Sequence, residues 1–371
     1  MPDRRPTTDR PAIDRIAVET FTIPTDAPEA DGTFGWDHTV LVVVSVEGGG
    51  RNGLGYGYAD RATARLIAGT LGPLVTGMDA LDVNRAWIAM TAAVRNLGRP
   101  GIASMAIAAV DAALWDLKGK LFGRPVADLL GRARDATPAY GSGGFTSYSD
   151  RMLADQLAGW AGDGLTAVKM KIGGDPATAA RRAAVARGAI GDGVDLYVDA
   201  NGACSRKAAL ATAEALAGLG VTWFEEPVSS DDLEGLRLVR DRGPAGMAIA
   251  AGEYGYTPAY FRRMLEAGAV DVIQADATRC GITGFLAVAA LAEAFATPLS
   301  AHTAPSLHTQ VACACRPMMN IEYFHDHARI ERMLFEGAAV PRNGLLAPDP
   351  GRPGLGLDFK RADAERFRDA G

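Results

Sequence analysis

A series of ionisable residues closes one short apolar segment after another: Lys169 and Lys171 in TAVKMK, Asp199 in DLYVDAN, Glu225 and Glu226 in VTWFEEP, Glu253 in AIAAGE, Asp276 in DVIQAD, His302 in PLSAH and Glu322 in MNIEY. Each lies about one strand-and-helix unit beyond the last. A single acid at a strand end is usually a helix cap, but a run of them in step calls for another explanation. Asp199, Glu225 and Glu253, brought together, repel unless a cation neutralises them. An all-oxygen set suits Mg²⁺, whose remaining positions water and substrate oxygens can fill, and Mn²⁺ could substitute. Spacing leaves Glu225 and Glu226 both open as ligand, because strand neighbours point to opposite faces.

Lys169 and Lys171 flank Met170, so an extended backbone sends both amines to one side. Adjacent, partly buried amines depress each other's proton affinity, which predicts a base working near neutral pH. The alternative, two exposed lysines on an edge, conflicts with the apolar run around them. His302 follows Asp276 by one unit. A carboxylate beside an imidazole fixes its tautomer and raises its basicity, giving a second acid/base. Glu322 is either structural or held protonated by burial, donating a hydrogen bond to a developing oxyanion. His38 and His308 have weaker positional arguments, and His325 and His327 in YFHDH read as loop or interface residues.

Elements of a particular kind are needed to gather these side chains. After about Thr137 short apolar strands alternate with Ala-rich helices, a rhythm that favours a parallel barrel over a doubly wound sheet. In such a barrel the C-terminal strand ends meet at one mouth. The first third reads differently. IAVETFTI and TVLVVVSV alternate as antiparallel strands, GGGRNGLGYGYA reads as a hairpin because no helix follows its glycines, and Ile107, Val110, Leu114 and Leu117 fall at helical spacing before the stop at Gly123 and Pro125. The segment EADGTFGWDHT is expected to form a lid over the mouth, with Phe34 and Trp36 either meeting substrate or packing the cap.

Composition narrows the class. The 371 residues are 48% hydrophobic and 22% charged, enough for two domains, and a net charge of -6 argues against a nucleic-acid binder. The four cysteines, Cys204, Cys280, Cys313 and Cys315, form neither a disulfide framework nor a zinc pattern, so a reducing cytoplasm is expected. The N-terminal MPDRRPTTDRPAIDR does not read as a secretory signal, and no run reaches the roughly 18 uncharged apolar residues of a membrane span. The expected partner is a small carboxylate.

The motifs VKMK, VDAN, WFEEP, AGE, IQAD with TRCGITG, SAH and NIEY together resemble the enolase superfamily, and within it the mandelate racemase group. The resemblance covers about residues 137–323, and the first 130 residues look like that superfamily's capping domain. It implies a modified (β/α)7β barrel, residues 134–329, under an α+β cap, residues 1–133, completed by residues 330–371. It further implies Asp199, Glu225 and Glu253 as magnesium ligands, Lys171 as one acid/base with Lys169 touching the substrate carboxylate, His302 with Asp276 as the opposing dyad, and Glu322 hydrogen-bonding the enediolate. Asn201 and Ser142 are the substrate contacts the resemblance implies, and the lid segment adds Trp36 as a candidate contact. The muconate-lactonising group would place a lysine near Asp276, and none is present there.

The implied chemistry is abstraction of the proton next to a carboxylate. Bases on two faces allow either β-elimination, giving a 2-keto acid from an acid sugar, or racemisation and epimerisation of a 2-hydroxy or amino carboxylate. Dehydration is the favoured reading, by a homo-oligomer of two to eight copies. A non-catalytic metabolite binder is the remaining class.

Overall fold

The structure, a computed structural model, describes residues 10–369; the N-terminal nine residues of the assigned cap and the final two of its C-terminal segment lie outside the described residues. Three antiparallel strands open the chain: β1 (Ile13–Ala30), β2 (Gly35–Gly48) and β3 (Arg51–Tyr58). The Gly-rich stretch is the β2–β3 hairpin, as expected. Its glycines have a packing reason, since a Cβ on Gly53 or Gly55 would lie 2.3 and 2.1 Å from the carbonyl oxygens of Ala113 and Ala109. That face of β3 therefore seats directly on the helix Ile102–Phe122, which ends at Gly123 in the left-handed conformation (φ 62).

Eight parallel strands follow and close on themselves: β4 (Thr137–Gly143), β5 (Ala167–Lys171), β6 (Asp195–Asp199), β7 (Val221–Glu225), β8 (Ala248–Ala251), β9 (Val272–Ala275), β10 (Leu299–Ala301) and β11 (Met318–Phe324), with β11 pairing back onto β4. A helix crosses between each consecutive pair. β4, with the sequence TPAYGSG, was not distinguished as a strand by apolar alternation. Its small residues have a use: a Cβ on Gly141 would run into the Trp160 ring at 2.4 Å.

Inside the barrel, Tyr140, Ala167, Tyr197, Trp223, Ala250 and Val272 form an apolar layer, separate from the larger core between strands and helices. This layer plugs the floor, and polar side chains occupy the levels above it. The helix Ala277–Ala294 is long and apolar enough to cross a membrane, but it carries Arg279 and Glu293, loses helical dihedrals at Gly281, and packs against Ile102–Phe122. It joins cap to barrel through Asp111, which accepts from the Thr283 N–H and hydroxyl.

The C-terminal segment touches both units. Leu345 and Leu346 pair with Pro138 and Thr137 at the barrel floor, whereas Arg361 and Arg368 reach Glu19 in β1.

Candidate active site

Strand register sets the height of the first carboxylates. Lys171 of β5 pairs with Asp199 of β6, which pairs with Glu225 of β7, so three polar side chains stand at one level of the mouth. Glu253 enters from the turn after β8. One oxygen each of Asp199, Glu225 and Glu253 lies within 4.8 Å of the others, and all three residues are buried. Of the two glutamates that spacing left open, Glu225 joins the group, while Glu226, at φ 38, lies just past the strand end with its Oε1 meeting no donor among the described residues.

Lysines stand at one end of the trio. Lys171 Nζ donates to Asp199 Oδ2, and Lys169 Nζ bonds Glu225 Oε1 at 2.6 Å and Glu322 Oε1 at 2.7 Å. At the other end His302 Nε2 lies 3.4 Å from Glu253 Oε2, and its Nδ1 faces Asp276 Oδ2 at 2.9 Å. Asp276 begins the helix Ala277–Ala294, accepting from the Thr278 N–H with its other oxygen.

Above this floor opens a cavity of about 470 Å³, lined by Lys171, Asn201, Glu253, His302 and Glu322 below and by Phe34, Trp36, Tyr58 and Phe324 towards the lid. The lid tip rests on the rim: a Cβ on Gly32 would lie 2.3 Å from Ala200 O and 2.7 Å from Ile172 O. Residues 17–131 match the family model for the mandelate racemase / muconate lactonizing enzyme N-terminal domain, and residues 152–364 match the enolase C-terminal domain-like model. The chain belongs to the mandelate racemase/muconate lactonizing enzyme family.

Among solved members of this family, a mandelate racemase/muconate lactonizing enzyme-like protein from Rubrobacter xylanophilus is 50% identical, with a TM-score of 0.95 over 96% of this chain and 100% of its own. The 3,6-anhydro-alpha-L-galactonate cycloisomerase of Streptomyces coelicolor is 34% identical over 94% of this chain and 98% of its own. The L-talarate/galactarate dehydratase of Salmonella typhimurium, crystallised with Mg and L-lyxarohydroxamate, is 26% identical over 100% of this chain and 96% of its own, with a TM-score of 0.88.

Electrostatics within the site differ from the sequence expectation in two places. Burial opposes charge on both lysines, but the carboxylates outweigh it: Glu225, Glu322 and Asp199 hold Lys169 above the usual amine range, and Asp199 does the same for Lys171. Adjacent amines were expected to lower each other, and the acids between them reverse the sign. For Glu322, read as either structural or held protonated, the surrounding charges favour the ionised form. Against the cost of burial, Lys169, His302 and Lys171 pull it well below the usual carboxylate range, and it accepts from Ser142 Oγ at 2.6 Å and Thr303 N at 2.9 Å. In this arrangement it accepts both bonds.

The acids remain short of positive charge. Burial, reinforced by Asp199 and Glu322, pushes Glu225 up against the pull of Lys169, and burial with Glu253 and Asp199 does so for Glu226. Glu253 Oε2 and Asn201 Oδ1 are buried without a hydrogen-bond partner among the described residues. Unsatisfied oxygens converging beside like charges fit a divalent cation at Asp199, Glu225 and Glu253.

The implied substrate contacts divide. Asn201 and Trp36 line the cavity, although the Trp36 indole N–H is engaged by Glu29 Oε2 at 2.8 Å, leaving its ring face. Ser142 and Lys169 are fully buried beneath, behind Glu322 and Glu225. His327 corrects an expectation. It lies in a helix rather than a loop, half-buried in the cavity wall and stacked on Tyr58 at 3.4 Å, and desolvation pushes its imidazole down to about 3. Arg279 was also missed. It bonds Glu253 O at 2.6 Å and lies over Tyr254, and its only sequence signal was its place three residues after Asp276 in TRCGITG. His308 accepts from Ala277 N and contacts Thr303 O, fixing the loop that carries His302.

Proposed function

We propose that this protein is a magnesium-dependent hydro-lyase that dehydrates an acid sugar to a 2-keto acid. The observation that carries the reading is the placement of Lys171 and the His302–Asp276 dyad at the two ends of one carboxylate trio, facing one cavity. Asp199, Glu225 and Glu253 would hold the ion, which supplies charge stabilisation for the developing dianion and takes up the carboxylate charge that otherwise keeps Lys171 protonated.

In this reading neutral Lys171 takes the α-proton, and the C–H electron pair becomes the C=C of an enediolate. That pair then expels the β-oxygen, to which His302 delivers a proton, and the resulting enol becomes the 2-keto acid. Asp276 orients the imidazole and stabilises its charged form. Lys169 and Glu322 act as a buried pair that positions Glu225 and the Thr303 loop. Trp36 and Asn201 would contact the substrate, with Ser142 supporting Glu322.

A second reading comes from the Streptomyces coelicolor cycloisomerase, which matches this chain almost end to end. If the β-oxygen belongs to a ring ether, the same elimination opens the ring and no water leaves. One incubation with Mg²⁺ and a panel of hydroxy and anhydro acids in D₂O separates the cases by product mass. Loss of water marks the dehydratase, an unchanged elemental composition with a new keto group marks ring opening, and deuterium at an inverted Cα marks a racemase or epimerase. Ligand-induced stabilisation without exchange or turnover would leave a binding protein and sink the proposal.

The same reading treats residues 134–329 as the catalytic unit and residues 1–133 with 330–371 as the cap. It also carries a cytoplasmic setting, which four unpaired, buried cysteines support, and a homo-oligomer, which exposed Ile88 and Leu97 on the cap support.

A further inference from the structure

The lid stalk holds a cluster of titratable groups that the proposed chemistry does not use. β1 and β2 lose register there: Pro24 pairs with His38 and Glu29 with Trp36, so residues 25–28 bulge opposite Asp37. A bulge re-aims side chains, and this one turns Asp26 and Glu29 towards His325, the first residue of the helix His325–Leu334. One donor atom each of Asp26, Glu29 and His325 lies within 4.8 Å of the others.

Two observations mark this as more than a surface ion pair. Glu29 is only 2% exposed, and while its Oε2 accepts from Trp36, its Oε1 meets no donor among the described residues. Leaving a buried carboxylate oxygen unpaired costs on the order of 1–3 kcal/mol or more. Nearby charge makes this worse: burial and then Asp326 push the Glu29 carboxyl up to about 8, with Asp26 adding to the rise. His325 Nε2 stands 3.0 Å from Asp26 Oδ2, and both side chains are partly open to solvent, at 23% and 47%, so an ion can enter.

We propose that Asp26, Glu29 and His325 form a second divalent-cation site that fastens the lid stalk to the barrel rim. One imidazole and two carboxylates with open positions for water select a borderline first-row ion such as Zn²⁺ over Mg²⁺, which prefers an all-oxygen set. Asp26 and Glu29 belong to the cap, whereas His325 directly follows β11 of the barrel. A cation held by all three therefore bridges the two units. Because Glu29 also holds the Trp36 indole, the ion would fix the lid-side wall of the cavity.

The test uses the full chain, stripped with chelator and saturated with Mg²⁺, then titrated with Zn²⁺ by calorimetry and with Co²⁺ by absorption. One equivalent beyond the magnesium trio is expected, with a Zn²⁺-dependent rise in Tm. His325→Ala and Glu29→Gln should each weaken that equivalent by about tenfold or more, and Asp199→Asn should retain it. Should Glu29→Gln fail to fold, the partly exposed His325→Ala carries the test alone. Binding of equal strength in His325→Ala, or no equivalent beyond the trio, would overturn the site. Since binding is read without turnover, its failure is distinct from failure of the dehydratase reading.

Discussion

Asp276 does two jobs with two oxygens: Oδ1 accepts from the Thr278 N–H and hydroxyl, and Oδ2 faces His302 Nδ1. Burial works against its charge, but His302, His308 and Arg279 hold it well below the usual carboxylate range. Asp276→Asn keeps an oxygen for the helix start and removes the anion from the imidazole. The expected result is a fall in kcat of about 10²–10⁴-fold, the scale of a general acid–base contribution, with Mg²⁺ affinity unchanged by titration; an unaltered kcat would refute the dyad. Side chains at strand ends were legible because the barrel repeats its unit, so position in the repeat substitutes for position in space. Arg279 and His327 were not, because they act through a carbonyl oxygen and a ring face offered by remote segments. The charge balance at Lys171 and Glu322 was not legible for a related reason: its sign depends on how many neighbours of each charge converge, and spacing counts only the neighbours along the chain.

The lid illustrates the element scale. A lid over the mouth was expected from EADGTFGWDHT, but the residue on which it rests was not. Gly32 is the contact point, and it needs no unusual dihedral; the approach of Ala200 O, Ile172 O and Ala203 Cβ forbids a Cβ. Gly32→Val should therefore hold the lid off the rim without unfolding the protein. The measurement is steady-state kinetics beside a thermal melt: KM is expected to rise and kcat to fall, with Tm within about 2 °C of the parent. Unchanged kinetics would show that closure is not required. The barrel strand β4 was hidden by the same residue type for a different reason. Its glycines make room for Trp160 and Gln156, so it lacks the alternation by which β5 and β7 announce themselves.

At the scale of the whole molecule, cap, barrel and tail meet at one buried acid. Glu331, on the helix His325–Leu334, accepts from Tyr56 Oη of β3 at 2.6 Å and from Ser306 N and Oγ of the helix Pro305–Ala312 at 3.0 and 2.6 Å. Nothing in the sequence marks this junction, because its members lie 25 and 275 positions apart and belong to no repeat. Burial pushes the Glu331 carboxyl from an ordinary 4.5 up to about 7, with the hydrogen bonds from Ser306 and Tyr56 only partly opposing. The folded protein then holds this proton more tightly than the unfolded chain does. Its contribution to stability is whole below about pH 4.5, declines as pH rises, and is gone above about pH 7, a loss of roughly 3 kcal/mol at most. Glu331→Gln keeps the shape and removes the titration. The melting temperature of the parent should accordingly fall more steeply between pH 5 and 8 than that of Glu331→Gln. Parallel profiles would mean that the acid is already ionised where it is buried, and the junction would then contribute no pH dependence of this kind.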